Sequence, residues 1–338
     1  MAGRTLDLES LIQEPDILAT AIAVEFVRLN QLRSSWLAEK KELRNYIFAT
    51  DTSKTSNVQL PWKNSTTLPK LTQIRDNLHA NYMAALFPND EWLDWLGDDE
   101  DAEAKEKKNI IKAYMMNKNR QSGFINTVSE MVYDFIDSGN VIATTEYVNE
   151  TREFPEGSDQ EGELIPGYVG PRAVRLHPFD VVFNPTAVNF EQTPKIFRVL
   201  KTMGELATDI EDHPEWGFLE GAFDQVKNAR KNVTGLTSND VHQNEGYQID
   251  GFGSYLEYLN SGYVEILEFH GDLWDVNEEE LLKNHIITVV DRRFVLRKVP
   301  NPSWRGSSIR HAGWRLRPGN LWAMGPLDNL VGMQYRLD

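Results

Sequence analysis

The stretch DSGNVIATTEYV, residues 137–148, is where the chain changes character and where its fold class is decided. Just upstream, Phe124, Val128, Met131, Phe135 and Ile136 recur at intervals that gather them on one face of a helix. Gly139 supplies the residue type with which helices commonly end. Asn140–Val148 is then rich in Val, Ile and Thr, side chains that suit a pleated strand. The chain therefore reads as α+β, with helices first and sheet after.

Toward the N-terminus the helical signal continues. Pro15 stands where proline is tolerated in a first turn, and Ile17, Leu18, Ala21, Val24, Val27, Leu32 and Leu37 extend one long amphipathic helix, open to a kink, as far as about Phe48. A polar loop, 51–69, precedes a second helix marked by Leu71, Ile74, Leu78, Tyr82, Leu86 and Phe87, which Pro88 stops. NDEWLDWLG, 89–97, carries its own start and stop signals and predicts a short helix that buries Trp92 and Leu96. Two further helices are expected over 102–121 and 124–138.

Toward the C-terminus the period shortens. RAVRL (172–176) and DVVFNP (180–185) read as strands around a turn at His177-Pro178-Phe179, after an exposed hairpin tip or loop within 150–170. KIFRVLKT (195–202) is a further strand, and helices are expected over 203–210 and 216–231. The Gly-, Asn- and Ser-rich piece 233–261 predicts an irregular surface excursion. VEILEFHGDLWDV (264–276), IITVVDRR (286–293) and FVLRKV (294–299) then predict a three-stranded antiparallel meander.

Composition narrows the chemistry. With 41% hydrophobic and 25% charged residues in 338, most of the chain should fold. The absence of cysteine removes disulfides, thiolate metal sites and cysteine nucleophiles. The first residues lack the apolar stretch of a secretory signal, and no window approaches a membrane span, so synthesis and residence in the cytosol, or in something assembled there, are expected. A net charge of −16 argues against a free-standing nucleic-acid binder. That charge is unevenly placed: Arg292–Asp338 sums to +7, leaving −23 on the first 291 residues. Such a basic arm can pair with copies of the chain, touch DNA with a few arginines, or pack on its own acidic body.

A search for catalytic motifs returns little. The seven histidines show no HExxH or HxH spacing, and there is neither a phosphate loop nor a GxSxG elbow. His177 and His270 are the two placed where a role could be weighed, and a structural role is expected for both. The acidic run Asp98–Glu103 reads as a solvated helix start, and Gly251-Phe252-Gly253 lacks the third glycine of a dinucleotide fingerprint. No cofactor or metal is expected. In SWRGSSIRHAGWRLRPGNLW, 303–322, tryptophans alternate with arginines. This pattern serves base stacking or a protein interface, and the acidic body favours the interface.

The final stretch, WRLRPGNLWAMGPLDNLVGMQYRLD (314–338), resembles the segment by which portal proteins of short-tailed bacteriophages pass from a β-rich wing into a long stem helix. Gly325-Pro326 breaks the strand-like run, and Leu327, Leu330, Val331, Gln334 and Leu337 repeat at helical spacing with Asp328 in the first turn. In the same order, 137–148 is similar to the helix-to-strand passage of portals and VRLHPFDVVFNPTA (174–187) to the strand pair that follows. The segments 264–276 and 287–302 are similar to later wing strands.

The resemblance implies a helical part of the wing over 1–138, a β-rich wing with helical insertions over 139–302, a basic connecting arm over 303–326 and the start of a stem helix over 327–338. Because portals continue beyond that point, a truncated stem helix is expected here. The resemblance also implies a non-enzymatic, dodecameric ring at the capsid vertex of the virion, built in the host cytoplasm. Double-stranded DNA passes through such a ring during packaging and ejection. Its partners would be terminase, adaptor and tail proteins, and major capsid and scaffolding proteins, with no membrane. Trp304, Arg305, Arg310, Trp314, Arg315, Arg317 and Trp322 are the expected subunit-interface residues. The readings of another kind are a hydrolase using carboxylates such as Asp240, Glu245 and Asp250, and a tail or capsid-accessory protein that forms no vertex ring.

Overall fold

The structure, a computed structural model, describes residues 5–8, 15–48, 70–94, 102–153, 164–231, 262–276, 279–303 and 306–333. In chain order the elements are β1 (Thr5–Leu8), α1 (Pro15–Leu32), α2 (Ser34–Phe48), α3 (Lys70–Leu86), α4 (Ala102–Gln121), α5 (Phe124–Ser138) and β2 (Asn140–Asn149). Next come β3 (Arg152–Glu153), β4 (Leu164–Ile165), β5 (Val169–Leu176), β6 (Val181–Phe183), β7 (Lys195–Thr202), α6 (Met203–Asp212) and α7 (Ala222–Lys231). The series ends with β8 (Tyr263–Asp275), β9 (Glu280–Val290), β10 (Phe294–Pro300), β11 (Arg310–Gly313), β12 (Arg315–Arg317) and β13 (Asn320–Met324). The fold is α+β, and it divides into two compact units. The first comprises Met1–Leu37, Phe179–Ser307 and Pro318–Leu321; the second comprises Ala38–Pro178, Ser308–Arg317 and Trp322–Asp338.

The first unit is built on a sheet of order β10-β9-β8-β7-β6, antiparallel throughout, with β1 running parallel to β8. The meander expected from the sequence forms one side of this six-stranded sheet, with β10 at its edge. Alternation along the strands sends Leu267, Phe269, Ile287, Val289 and Val295 to one face, where they meet Leu18, Ile22, Phe26 and Leu29 of α1. Val264, Ile266, Val290 and Leu296 pack on the other with Leu206 of α6 and Val226 of α7. Both faces are covered, so these strands are apolar on both sides.

The turn between β9 and β10 is unusual in chemistry. Asp291 and Arg292 take φ of 51° and 60°, values that a tight hairpin requires and that asparagine and glycine normally supply. Here two ion pairs hold the strained residues. Arg292 Nε and Nη2 donate to Glu265 at 2.7 and 2.9 Å, with both side chains buried. Arg230 of α7 donates to both Asp291 oxygens at 2.7 Å.

Three expected helices are altered, each for an identifiable reason. The long N-terminal helix is interrupted at Arg33, whose buried guanidinium donates to the carbonyls of Val181 and Phe179. The helix expected over 216–231 begins only at Ala222. A 3₁₀ turn at Pro214–Trp216 precedes Gly217 and Gly221 at φ of 72° and 73°, and Leu219 N–H donates to Leu296 O, drawing 217–221 onto the edge of the sheet. Over 89–94 there is a turn instead of a helix. Asn89 Oδ1 accepts from Glu91 N–H in an Asx turn, and Trp92 stacks on Phe124 at 5.7 Å with its edge contact to Phe87 at 5.0 Å. Residues 95–97 and the excursion 233–261 lie outside the described residues.

In the second unit, α5 packs on a three-stranded sheet of order β11-β2-β5. Leu43, Tyr46 and Ile47 of α2, Leu71 of α3, and Val132 and Ile136 of α5 form its core. Arg75 of α3 clasps Asp137 at 2.6 and 2.8 Å, and Arg175 of β5 clasps Asp134 at 2.5 and 2.7 Å, each a bidentate pair that fixes the orientation of α5. The change from helix to strand at Gly139 falls inside this unit. Within 150–170, read from the sequence as an exposed hairpin tip or loop, Arg152–Glu153 and Leu164–Ile165 pair as two short antiparallel strands.

Replacing Arg292 by Met removes one partner of a buried ion pair with Glu265. The expected loss is about 3–5 kcal/mol, read as a lower urea midpoint at unchanged slope.

Candidate functional site

Two of the sequence stretches that carried the resemblance meet in the second unit. Gly139 ends α5 at φ 76°, and a Cβ there would lie 2.5 Å from the backbone of Met324 and Gly325. A Cβ on Gly325 would in turn lie 3.1 Å from Gly139 N and Ile136 O. The helix-to-strand passage and the strand-to-helix passage are thus in backbone contact, and glycine is required at Gly139 for both its angle and its space.

Around this contact several polar groups bond to one another. Asn140 Nδ2 donates to Ser138 O and Ala323 O, while its Oδ1 accepts from Ala323 N–H and from His311 Nε2, each at 2.9–3.2 Å. Asn140 therefore acts as an extra peptide group joining β2 to β13. Ser138 Oγ bonds to Asp134 O and Asn140 O, and Trp314 N–H donates to Gly139 O at 2.8 Å. His311, registered opposite Ile142 in the β11–β2 pairing, is held neutral by burial, which pushes its pKa from the ordinary 6.5 down to about 4.

The chain then leaves this knot in a fixed direction. Leu327 is completely buried against Leu43, Tyr46, Ile136 and their neighbours. Asp328 accepts the Gly325 amide at 2.7 Å and pairs with the ammonium of Lys40, itself buried. Burial lowers the Lys40 pKa, and Asp328 opposes that shift. A 3₁₀ turn at Asp328–Leu330 leads into helical backbone at 331–333, and Leu330 and Val331 pack on the same core. Gln334 and Leu337 lie outside the described residues.

The expected interface residues separate into three groups. Arg310, Trp314, Arg315 and Arg317 are exposed, and Leu316 between the last two is 55% exposed. Among the described residues neither Arg315 nor Arg317 has a carboxylate within ion-pair distance. Trp322 is 1% exposed and belongs to the interior. It cannot reach a neighbour: β13 turns both Trp322 and Ala323 inward. Trp304 and Arg305 lie outside the described residues, as do Asp240, Glu245 and Asp250.

The two flagged histidines have structural surroundings. His177 Nε2 lies 4.0 Å from Asp134, and His270 is paired with Glu268 at 2.7 Å in the first unit. His270 also lines a pocket opposite Lys195, a residue that sequence reasoning missed because nothing in KIFRVLKT separates a buried lysine from a solvated one. Among the described residues no three His, Asp or Glu side chains converge as a metal centre would need, and no helix is long and apolar enough to cross a membrane.

The neutral His311 predicts acid sensitivity. The unfolded chain takes up a proton near pH 6.5 and the folded chain only near 4, so its contribution is intact above 6.5 and is lost as pH falls between these values. About 3 kcal/mol should disappear across that window. Urea titrations of His311→Gln should lack this component. Comparison of the sequence with protein-family models and with curated proteins returns no match in either.

Proposed function

We propose that this chain is a subunit of a portal-type ring, an architectural protein at a capsid vertex through which double-stranded DNA is packaged and released. The observation that carries the reading is the contact between Gly139 and Gly325. The two passages that resemble portal sequence lie 186 residues apart in the chain and are joined by close-packed backbone. The same knot fixes where the outgoing helix starts. A ring whose channel is lined by one helix from each subunit needs that exit angle to be identical in every copy. The burial of Leu327 and the pairing of Asp328 with Lys40 supply such a constraint.

The exposed Trp314-Arg315-Leu316-Arg317 edge is the surface offered to a neighbouring copy. Trp and Arg are common energetic anchors at interfaces, and the rest of the chain carries the opposite charge. A basic patch meeting a different, acidic patch on the next copy is a heterologous contact, which closes into a ring when the rotation fits. The acidic excess also keeps duplex DNA from adhering as it moves, since contact with phosphate is repelled and screened. Chemistry on nucleotide is left to a separate motor, consistent with a sequence that contains no phosphate loop.

Negative-stain images of the full-length gene product should show rings with a central channel. The double variant Arg315→Glu/Arg317→Glu should assemble at least about tenfold less readily, given the cost of placing like charges together in an interface. Monodisperse monomers of the parent chain would instead favour an accessory protein, and normal rings from the variant would remove the edge from the interface.

A further inference from the structure

The six-stranded sheet of the first unit holds a pocket of about 370 Å³ that the ring proposal does not use. Lys195 of β7 and His270 of β8 are directly paired in register, which places their side chains on one face of the sheet. Next to them the β8–β9 ladder slips its register between Gly271 and Leu273. Asn284 N–H, at φ 46°, turns to the Asp272 carboxylate at 2.7 Å. A bulge of this kind opens a sheet locally and re-aims side chains. Asn301 ties the following loop over the bulge through Asn284 and Gly306, at 2.7–3.2 Å, and so delivers the Ser307 hydroxyl to the pocket.

The polar groups inside are incompletely answered. Lys195 is 2% exposed, and among the described residues its Nζ bonds to Glu191 O and Ser307 Oγ, both at 3.3 Å, with the Phe190 ring at 4.9 Å. Among the described residues no carboxylate lies within ion-pair distance of it. Thr193 Oγ1 and His270 Nδ1 are buried without a hydrogen-bond partner. Buried polar groups are seldom left this way, because an orphaned donor or acceptor loses its water without regaining a partner. Two hydroxyls and a desolvated ammonium around one cavity are the donors that an oxyanion accepts from.

We propose that this pocket binds a small free oxyanion, of the sulfate or phosphate class, with Lys195 as the counter-charge and Thr193 and Ser307 as hydroxyl donors. The inference stands independently of the portal reading. The depth of Lys195 selects a group that enters the cavity over a phosphate carried on a rigid duplex. The surrounding charges set the strength. Glu268 is already paired with Arg297 at 3.0 Å and with His270, so it does not compete for the lysine. Asp272, whose carboxylate holds the bulge, faces the anion and opposes it, and Glu191 stands exposed at the rim. Burial lowers the Lys195 pKa to about 8, with Asp272 acting against that shift. Anion binding then draws a proton onto the lysine.

Calorimetric titration with sodium sulfate at fixed ionic strength, against a chloride control, tests this on the full chain. Sulfate keeps its charge near neutrality and above, so its affinity should fall about tenfold per pH unit above 8 as Lys195 loses its proton. Lys195→Met should weaken binding roughly ten- to hundredfold, and Asp272→Asn, which retains an oxygen for Asn284, should tighten it. No saturable binding beyond chloride, or equal binding by Lys195→Met, overturns the proposal. Should that variant lack the parent's circular dichroism spectrum, Thr193→Val/Ser307→Ala takes its place, and unchanged affinity there overturns it equally. A short DNA duplex that binds this site more tightly than sulfate, and is displaced by it, would overturn it in favour of a DNA contact.

Discussion

The second unit depends on one steric fact, the approach of two backbones at Gly139 and Gly325 to a separation that leaves no room for a Cβ on Gly139. From it follow the end of α5, the start of β2 and the inward turn of β13. Asn140 and His311 can share their hydrogen bonds only because the strands come this close. The exit of the chain at Leu327 and Asp328 inherits the same rigidity. A single methyl group at Gly139 would have to displace Met324 and Gly325, and with them the seating of Leu327 and Asp328.

The first unit solves a different problem, that of stabilising conformations the side chains do not favour. Asp291 and Arg292 occupy left-handed backbone without being glycine or asparagine, and the strain of about 1 kcal/mol or more at each is tolerated because surrounding contacts overdetermine the turn. Glu265, entirely buried, and Arg230 from α7 provide those contacts. Buried ion pairs add little net stability over an apolar core; here they specify one turn geometry and thereby one strand register.

Much of this was legible in the sequence where the signal is local. The bounds of α5 follow from apolar spacing and from Gly139, and the β8–β9–β10 meander follows from composition and turns. What could not be read arises from distant partners. The break at Arg33 accompanies bonds to carbonyls 146 and 148 residues away, and the shortened α7 reflects attachment of Leu219 to β10. Tryptophan and arginine alternate through 303–322 without revealing which side faces inward, so Trp322 could not be told from Trp314. The Lys195 pocket was hidden for a related reason: a bulge is a property of two strands in register, and one strand's sequence does not contain it.

The exposed β12 strand carries a further consequence. It pairs only with β13 among the described residues, so its outer edge presents open hydrogen-bonding groups, and such edges invite indiscriminate pairing between chains. Leu316 lies on that edge between two arginines. Like charges on either side of an apolar residue act as gatekeepers, repelling an identical strand brought alongside in register. Two copies cannot zip edge to edge through this segment without setting arginine against arginine. The same residues that would welcome an acidic surface therefore disfavour edge-to-edge pairing between copies of the chain.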